Sequence, residues 1–123
     1  MTRFDPERFF EVAEFNAGAQ GVTAPDEEAR LRTAVGRAYY ASFLAARMRF
    51  AVTRSRSVHQ EVIKQLRRRD RAAGDQLDKL ERLRTVADYE PVVQSPLHRD
   101  WQRNWQFART YATHVLRRLR TLT

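Results

Sequence analysis

The longest stretch poor in helix breakers runs from Pro25 to Phe50. Within it Leu31, Ala34, Val35, Ala38, Ser42 and Ala45 recur at helical spacing and fall on one side of an α-helix. A second stripe of Arg30, Thr33, Arg37, Tyr40, Leu44 and Arg47 lies about 100° round the same helix. Small residues at 34, 38, 41, 42, 45 and 46 make a thin face that a neighbour can approach closely. A helix with two usable faces belongs at the centre of a bundle or at a dimer interface. The rest of the chain has to be arranged around it.

The flanking segments are helical too. Asp5 as a cap and Pro6 at the first position predict a helix over 7–17, with Phe9, Phe10, Ala13 and Ala17 on one side, Val12 and Phe15 widening it, and Gly18 and Gly21 closing it. Thr23 and Asp26 form a shortened capping box for the long helix, and the acids Asp26, Glu27 and Glu28 complement its N-terminus. After a connection over 51–57, Ser57 is positioned to cap a third helix to about 69, with Val58, Val62, Ile63 and Leu66 inward. The run Arg67-Arg-Arg-Asp-Arg71 reads as a solvated helix end. A fourth helix is expected over 74–89, burying Leu77, Leu80, Arg84 and Ala87 on one face. An arginine among leucines needs a partner, and Asp88 stands one turn on. Pro91 ends that helix and 90–96 reads as a loop. A fifth helix over 97–122 carries a seam of Leu97, Trp101, Ala108, Ala112, Val115, Leu119 and Leu122 with Trp105 beside it; both tryptophans read as core or interface. No strand signal or fixed-period repeat is present. The expected fold is all-α, a five-helix up-and-down bundle forming one domain over 1–123.

Composition narrows the function classes. A 123-residue chain with 42% hydrophobic residues can bury one core. The absence of cysteine excludes a disulfide scaffold and a thiolate zinc site. No apolar signal core or membrane-length run is present, so a cytoplasmic protein without a membrane partner is expected. No phosphate-binding glycine loop, metal-spaced histidine and carboxylate set or Ser-His-Asp arrangement appears, and no metal or cofactor is expected. The net charge is +8 and nearly all the cations are arginine. Such a surface suits polyanions or an acidic protein, although arginine richness alone also arises from solvated helix faces.

Two signatures carry a family resemblance. Arg37-Ala-Tyr-Tyr-Ala-Ser-Phe43 lies mid-helix, and Leu83-Arg-Thr-Val-Ala-Asp-Tyr89 closes the fourth helix, with His59 opening the helix between them. In this order they resemble the HEPN domain (higher eukaryotes and prokaryotes nucleotide-binding). They are most similar to small prokaryotic members reading R-x-Y-Y-A-x-F and R-x-x-A-D-Y. The resemblance runs from about Glu28 to the end of the fifth helix. It implies a HEPN-like bundle that homodimerises through its helices and works near RNA or nucleotides, often beside a minimal nucleotidyltransferase in pairs resembling toxin–antitoxin systems. Catalytic members are metal-independent endoribonucleases that carry Arg-x(4–6)-His and join two copies across a dimer cleft.

Two stretches fit Arg-x4-His, namely Arg54 with His59 and Arg109 with His114. Arginine fills about one position in six, so accidental matches are expected. Arg109 and His114 fall within one helix about 140° apart. Arg54 precedes a helix and can turn toward His59, whose position at a helix N-terminus favours the neutral base. A phosphorane-like charge needs a cation and the proton transfer needs a histidine, so Arg54 and His59 are the candidate catalytic pair. Ser55 stands where the family motif more often carries Asn or Asp. The alternative role for His59 is to cap its helix or satisfy the core. Arg37, Tyr40, Arg47 and Arg56 are the candidate RNA or nucleotide contacts. Tyr39 and Tyr40 read first as packing residues with surface hydroxyls, and Arg84 and Asp88, with Arg37 nearby, as a polar cluster fixing the register of two helices. Three functions follow: a non-catalytic HEPN-like dimer binding RNA, nucleotide or a nucleotidyltransferase partner; a metal-independent endoribonuclease toxin; or a basic helical adaptor for an acidic protein.

Overall fold

The computed structural model describes residues 5–18, 24–53 and 57–122. Gly21, the cap expected from the side chains of Thr23 and Asp26, and Arg54, Ser55 and Arg56 lie outside that description. Five α-helices follow in order: α1 (Glu7–Gly18), α2 (Ala24–Phe50), α3 (Val58–Arg69), α4 (Arg71–Tyr89) and α5 (Trp101–Thr121). A 3-10 turn, Pro96–His98, precedes α5. The described residues contain no strand, and none of their helices is long and apolar enough to cross a membrane.

Helix α2 packs against each of the other four. Leu31, Ala34, Val35, Ala38 and Ser42 are buried, and so are Tyr39, Ala41, Phe43 and Ala46. Burial therefore spreads round α2 beyond the one stripe. The opposing faces bring Val62, Ile63 and Leu66 from α3, Leu77, Leu80 and Leu83 from α4, and Trp101, Trp105, Ala108, Ala112 and Val115 from α5. Each such leucine or isoleucine contributes about 1.5–3 kcal/mol by leaving water. The alanines of α2 and α5 fill little volume, so those two backbones can lie close together.

Three arginines of α2 close the ends of three other helices. Arg30 Nη1 donates to the carbonyls of Asn16 (2.8 Å) and Ala17 (3.3 Å) at the end of α1. Arg32 Nη1 donates to Ala87 (3.0 Å) and Glu90 (2.8 Å) at the end of α4, and its guanidinium lies 4.4 Å from the centre of a Trp101 ring. Arg49 Nη2 donates to Leu122 O (2.8 Å) at the end of α5. The last carbonyls of a helix lack partners within it and carry the negative end of its dipole, so a cation there satisfies both needs. Part of the positive charge is thus committed inside the fold.

The joints depart from the expected boundaries. Helix α2 ends with Ala51 in the left-handed region (φ 53°), where Ala51 N–H donates to Met48 O (3.4 Å) and Val52 N–H to Arg47 O (3.2 Å). This is a Schellman ending on alanine where glycine is usual. Arg47 Nε also donates to Val52 O at 3.1 Å. Ser57 precedes α3 without a side-chain capping bond; its carbonyl accepts from Glu61 N–H at 2.9 Å. Helix α4 starts at Arg71, earlier than the expected 74, because Asp70 caps it by accepting from Ala73 N–H at 3.1 Å. Asp70 is also the last cap of α3, and it receives Arg118 Nε from α5 at 2.5 Å. Asp100 caps α5 in the same way through Arg103 N–H (3.1 Å), so residues 97–99 fall outside the helix. Leu97 is consequently 72% exposed and not part of the apolar seam, and on α1 Val12 and Phe15 are exposed and do not widen the inward side. Asn104 is buried and its Nδ2 donates to His98 O at 2.9 Å, tying the 3-10 turn to α5.

Candidate functional site

The α2 stretch 37–43, the first turn of α3 and the last turns of α4 meet beside the middle of α2. Tyr39, which faces the core from α2, is fully buried, contrary to the expectation of a surface hydroxyl. Its Oη lies 2.5 Å from His59 Nδ1. The His59 ring stacks on Phe43 (4.3 Å between centres, 14° between planes) and runs nearly parallel to Tyr39 at 5.7 Å. His59 is the second residue of α3, and the helix start turns its ring back toward α2. Its Nε2 has no hydrogen-bond partner among the described residues.

Arg84 reaches this cluster from α4. It is buried, with its guanidinium 5.1 Å from the Tyr39 ring centre, 5.7 Å from Tyr40 and 5.8 Å from Tyr89. Arg84 Nη2 lies 3.2 Å from Glu81 Oε1, and Nη1 lies 3.7 Å from Asp88 Oδ2. Two carboxylates and three ring faces surround one cation, an arrangement that suits the flat guanidinium. Arg84 Nε is buried and lacks a hydrogen-bond partner.

These surroundings set the titration of the two residues that share the short contact. Burial lowers the pKa of His59, and the charges of Arg84 and Arg47 push the same way against Glu81. The imidazole is thus kept neutral below its ordinary range. Burial and the Glu81 charge raise the Tyr39 phenol well above its ordinary value, so it stays protonated. A neutral imidazole and a neutral phenol can then share one proton-mediated contact in either of two ways. Tyr39 donates to Nδ1 when His59 carries its proton on Nε2, or accepts from it in the other tautomer.

Beside the buried cluster lies a depression of about 230 Å³ lined by Thr33, Gly36, Arg37, Tyr40 and Asp88. At Gly36 a Cβ would stand 3.5 Å from Asp88 Oδ1, an ordinary contact, so the packing of α2 and α4 here does not depend on the glycine. Arg37 is exposed, with its guanidinium 5.2 Å from the Phe9 ring centre. Tyr40 and Asp88 belong both to this depression and to the Arg84 surroundings.

Among the sequence-derived candidates, Tyr40, His59, Arg84 and Asp88 come together here, with Arg37 at the edge. Arg47 points its Nε at its own helix exit and acts on His59 through its charge. Arg54 and Arg56 lie outside the described residues. Arg109 and His114 border one shallow hollow on α5 with Arg117, but Arg109 Nε pairs with Glu14 at 3.3 Å. Sequence reasoning missed two residues that matter. Tyr39 and Tyr40 read alike by residue type, although Tyr39 stands one turn, about 40°, from Val35 at the edge of the buried stripe while Tyr40 falls in the polar one. Arg32 shows locally only an ion pair with Glu28 one turn earlier (3.6 Å), because the carbonyls it closes lie more than fifty residues away. Among the described residues no set of His, Asp and Glu converges as metal ligands. Compared with known proteins, the chain matches no family model, no curated sequence and no solved structure.

Proposed function

We propose that the chain is a HEPN-like helical protein that acts as a homodimer and binds RNA, a nucleotide or a nucleotidyltransferase partner, without cleaving RNA itself. One convergence supports this. The tyrosine signature, the Arg84 to Tyr89 signature and His59 are far apart in sequence and meet in a single cluster across α2, α3 and α4. The depression with Arg37 and Tyr40 beside that cluster offers a cation and an aromatic ring to a phosphate and a base. Non-catalytic binding is preferred because His59 has one nitrogen on Tyr39 and its ring face on Phe43, which suits a positioning role.

A second reading has one observation in its favour. His59 is held neutral by burial and by Arg84 and Arg47, as a general base requires, so a metal-independent endoribonuclease using Arg54 and His59 is the alternative. Incubation of the purified protein with RNA in EDTA separates the two. Intact RNA, with retention on the protein that weakens at high salt and in Arg37→Ala, supports binding. Cleavage abolished by both Arg54→Ala and His59→Ala would establish the enzyme instead. Sedimentation as a monomer at tens of micromolar would remove the homodimer and the composite cleft.

A further inference from the structure

A groove of about 310 Å³ runs between α4 and α5 and is closed at one end by the 3-10 turn. It is not lined by any residue of the Tyr39, His59 and Arg84 cluster. Its floor is apolar, with Leu83 below and the stacked rings of Phe107 and Tyr111 along α5 (6.1 Å, 14°). Two large apolar side chains stand out of it into water, Leu97 at 72% and Phe107 at 41% exposure. Its rim is cationic. Lys79 and Arg82 come from α4 and Arg103 from α5, and no carboxylate lines the groove.

The cations are held where a ligand can use them. Arg103 lies 5.4 Å from the Phe107 ring centre and Lys79 lies 5.9 Å from that of Tyr111. Neither makes an ion pair among the described residues. Arg82 shares Asp78 with Arg67, at 3.1 and 3.2 Å, and is the least available of the three. Arg103, Phe107 and Tyr111 recur one turn apart on α5, which gives the groove a straight wall against which a short segment can lie.

We infer that this groove is a docking site for an acidic segment of a partner protein. The segment sets an aliphatic or aromatic side chain between Leu97 and Phe107 and carboxylates on Lys79 and Arg103. Charge complementarity selects the acidic partner, since the lining carries cations and no acid. The protruding apolar pair selects a protein segment over a nucleic acid. Bases stack on open aromatic faces, and here Lys79 and Arg103 lie over the two rings. An anchor in an apolar pocket ringed by charge is the pattern of an interface hot spot.

Selection of random displayed peptides on the full chain tests this, followed by fluorescence anisotropy of the enriched sequences. Enriched peptides are expected to carry Leu, Phe or Trp flanked by Asp or Glu. Their binding should weaken about tenfold or more in Phe107→Ala and in Arg103→Glu and stay unchanged in Arg37→Ala. Both groove positions are exposed, and unchanged circular dichroism and melting of the variants will separate lost binding from lost folding. A selection that enriches nothing, or peptides indifferent to both groove variants, would overturn the site. So would an oligouridine that binds through Phe107 and Arg103 more tightly than any selected peptide. Loss of RNA binding in Arg37→Ala with intact peptide binding leaves this site standing, because the two surfaces share no residue.

Discussion

Tyr39 Oη and His59 Nδ1 stand 2.5 Å apart and join the middle of α2 to the first turn of α3. Tyr39→Phe keeps the ring between its aromatic neighbours and removes the hydroxyl, with its contact to His59 and its interaction with Arg84. The half-buried imidazole nitrogen then loses its partner, which costs about 1–2 kcal/mol of folding stability. Urea unfolding of the variant checks it. An unchanged midpoint would show that the contact contributes nothing to the folded state.

The lowered His59 pKa makes stability pH-dependent. As pH falls, the unfolded chain takes up the proton first, near the ordinary histidine value of about 6.5. The contribution of His59 is therefore full above that value and is lost as pH falls from it through the lower folded pKa. His59→Gln is expected to flatten this part of the profile of urea midpoints. Arg84→Met removes one of the charges that disfavour the imidazolium, so the His59 titration followed by NMR should move upward. A slope that persists unchanged in His59→Gln would assign it to other groups.

Arg84 is a cation held between two acids and three rings. Arg84→Met preserves volume but leaves Glu81 and Asp88 without it. Their side chains are 20% and 39% exposed and reach water, so the cost falls below that of a fully buried orphan, about 1–3 kcal/mol. Arg84→Lys restores the charge without the flat surface over Tyr39, Tyr40 and Tyr89 and is expected to recover part of the loss. Thermal unfolding of the three proteins ranks them, and a lysine variant equal to wild type would show that charge alone matters.

Gly74 and Gly36 are opposite cases within helices. A Cβ at 74 would stand 2.7 and 2.8 Å from the Arg67 backbone N and Cα, which cannot swing aside. Gly74→Ala is expected to destabilise by about 1–3 kcal/mol although alanine is the better helix former. At 36 the nearest neighbour is Asp88 Oδ1 at an ordinary 3.5 Å, so Gly36→Ala should stabilise by about 0.5–1 kcal/mol. Melting temperatures moving in the same direction for both would contradict the geometry.

Ala51 holds a left-handed conformation that disfavours a Cβ. Ala51→Gly relieves that strain but adds freedom to the unfolded chain, leaving a net gain of about 0.5–1 kcal/mol. Calorimetry of the variant should show a higher melting temperature.

The all-helical character and the positions of the helices were legible because periodicity is local. Leu77, Leu80, Arg84 and Ala87 repeat on one face whatever α4 packs against. The boundaries that moved did so through single capping bonds. Asp70 and Asp100 each satisfy a free N–H, and this outweighed the expected starts at Gly74 and Leu97. Arg84 could be recognised as an arginine needing partners, and Asp88 one turn on was readable. The rings of Tyr39 and Tyr40 over it were not, because they arrive from another helix. The arginines of α2 looked like surface charge for the same reason. Arg30, Arg32 and Arg49 find their carbonyls only once distant helix ends are brought beside α2.

Asp70 serves as the end of α3 and the start of α4, so the two helices have no spare residue between them. The phase of α4 is consequently inherited from α3. One residue inserted in the first turn of α4 would turn everything after it by about 100° and advance it by about 1.5 Å relative to Asp70. Arg84 would then leave the tyrosines, and Leu77 and Leu80 would leave the core with it. The α3–α4 elbow acts as the gauge mark from which the position of Arg84 is measured.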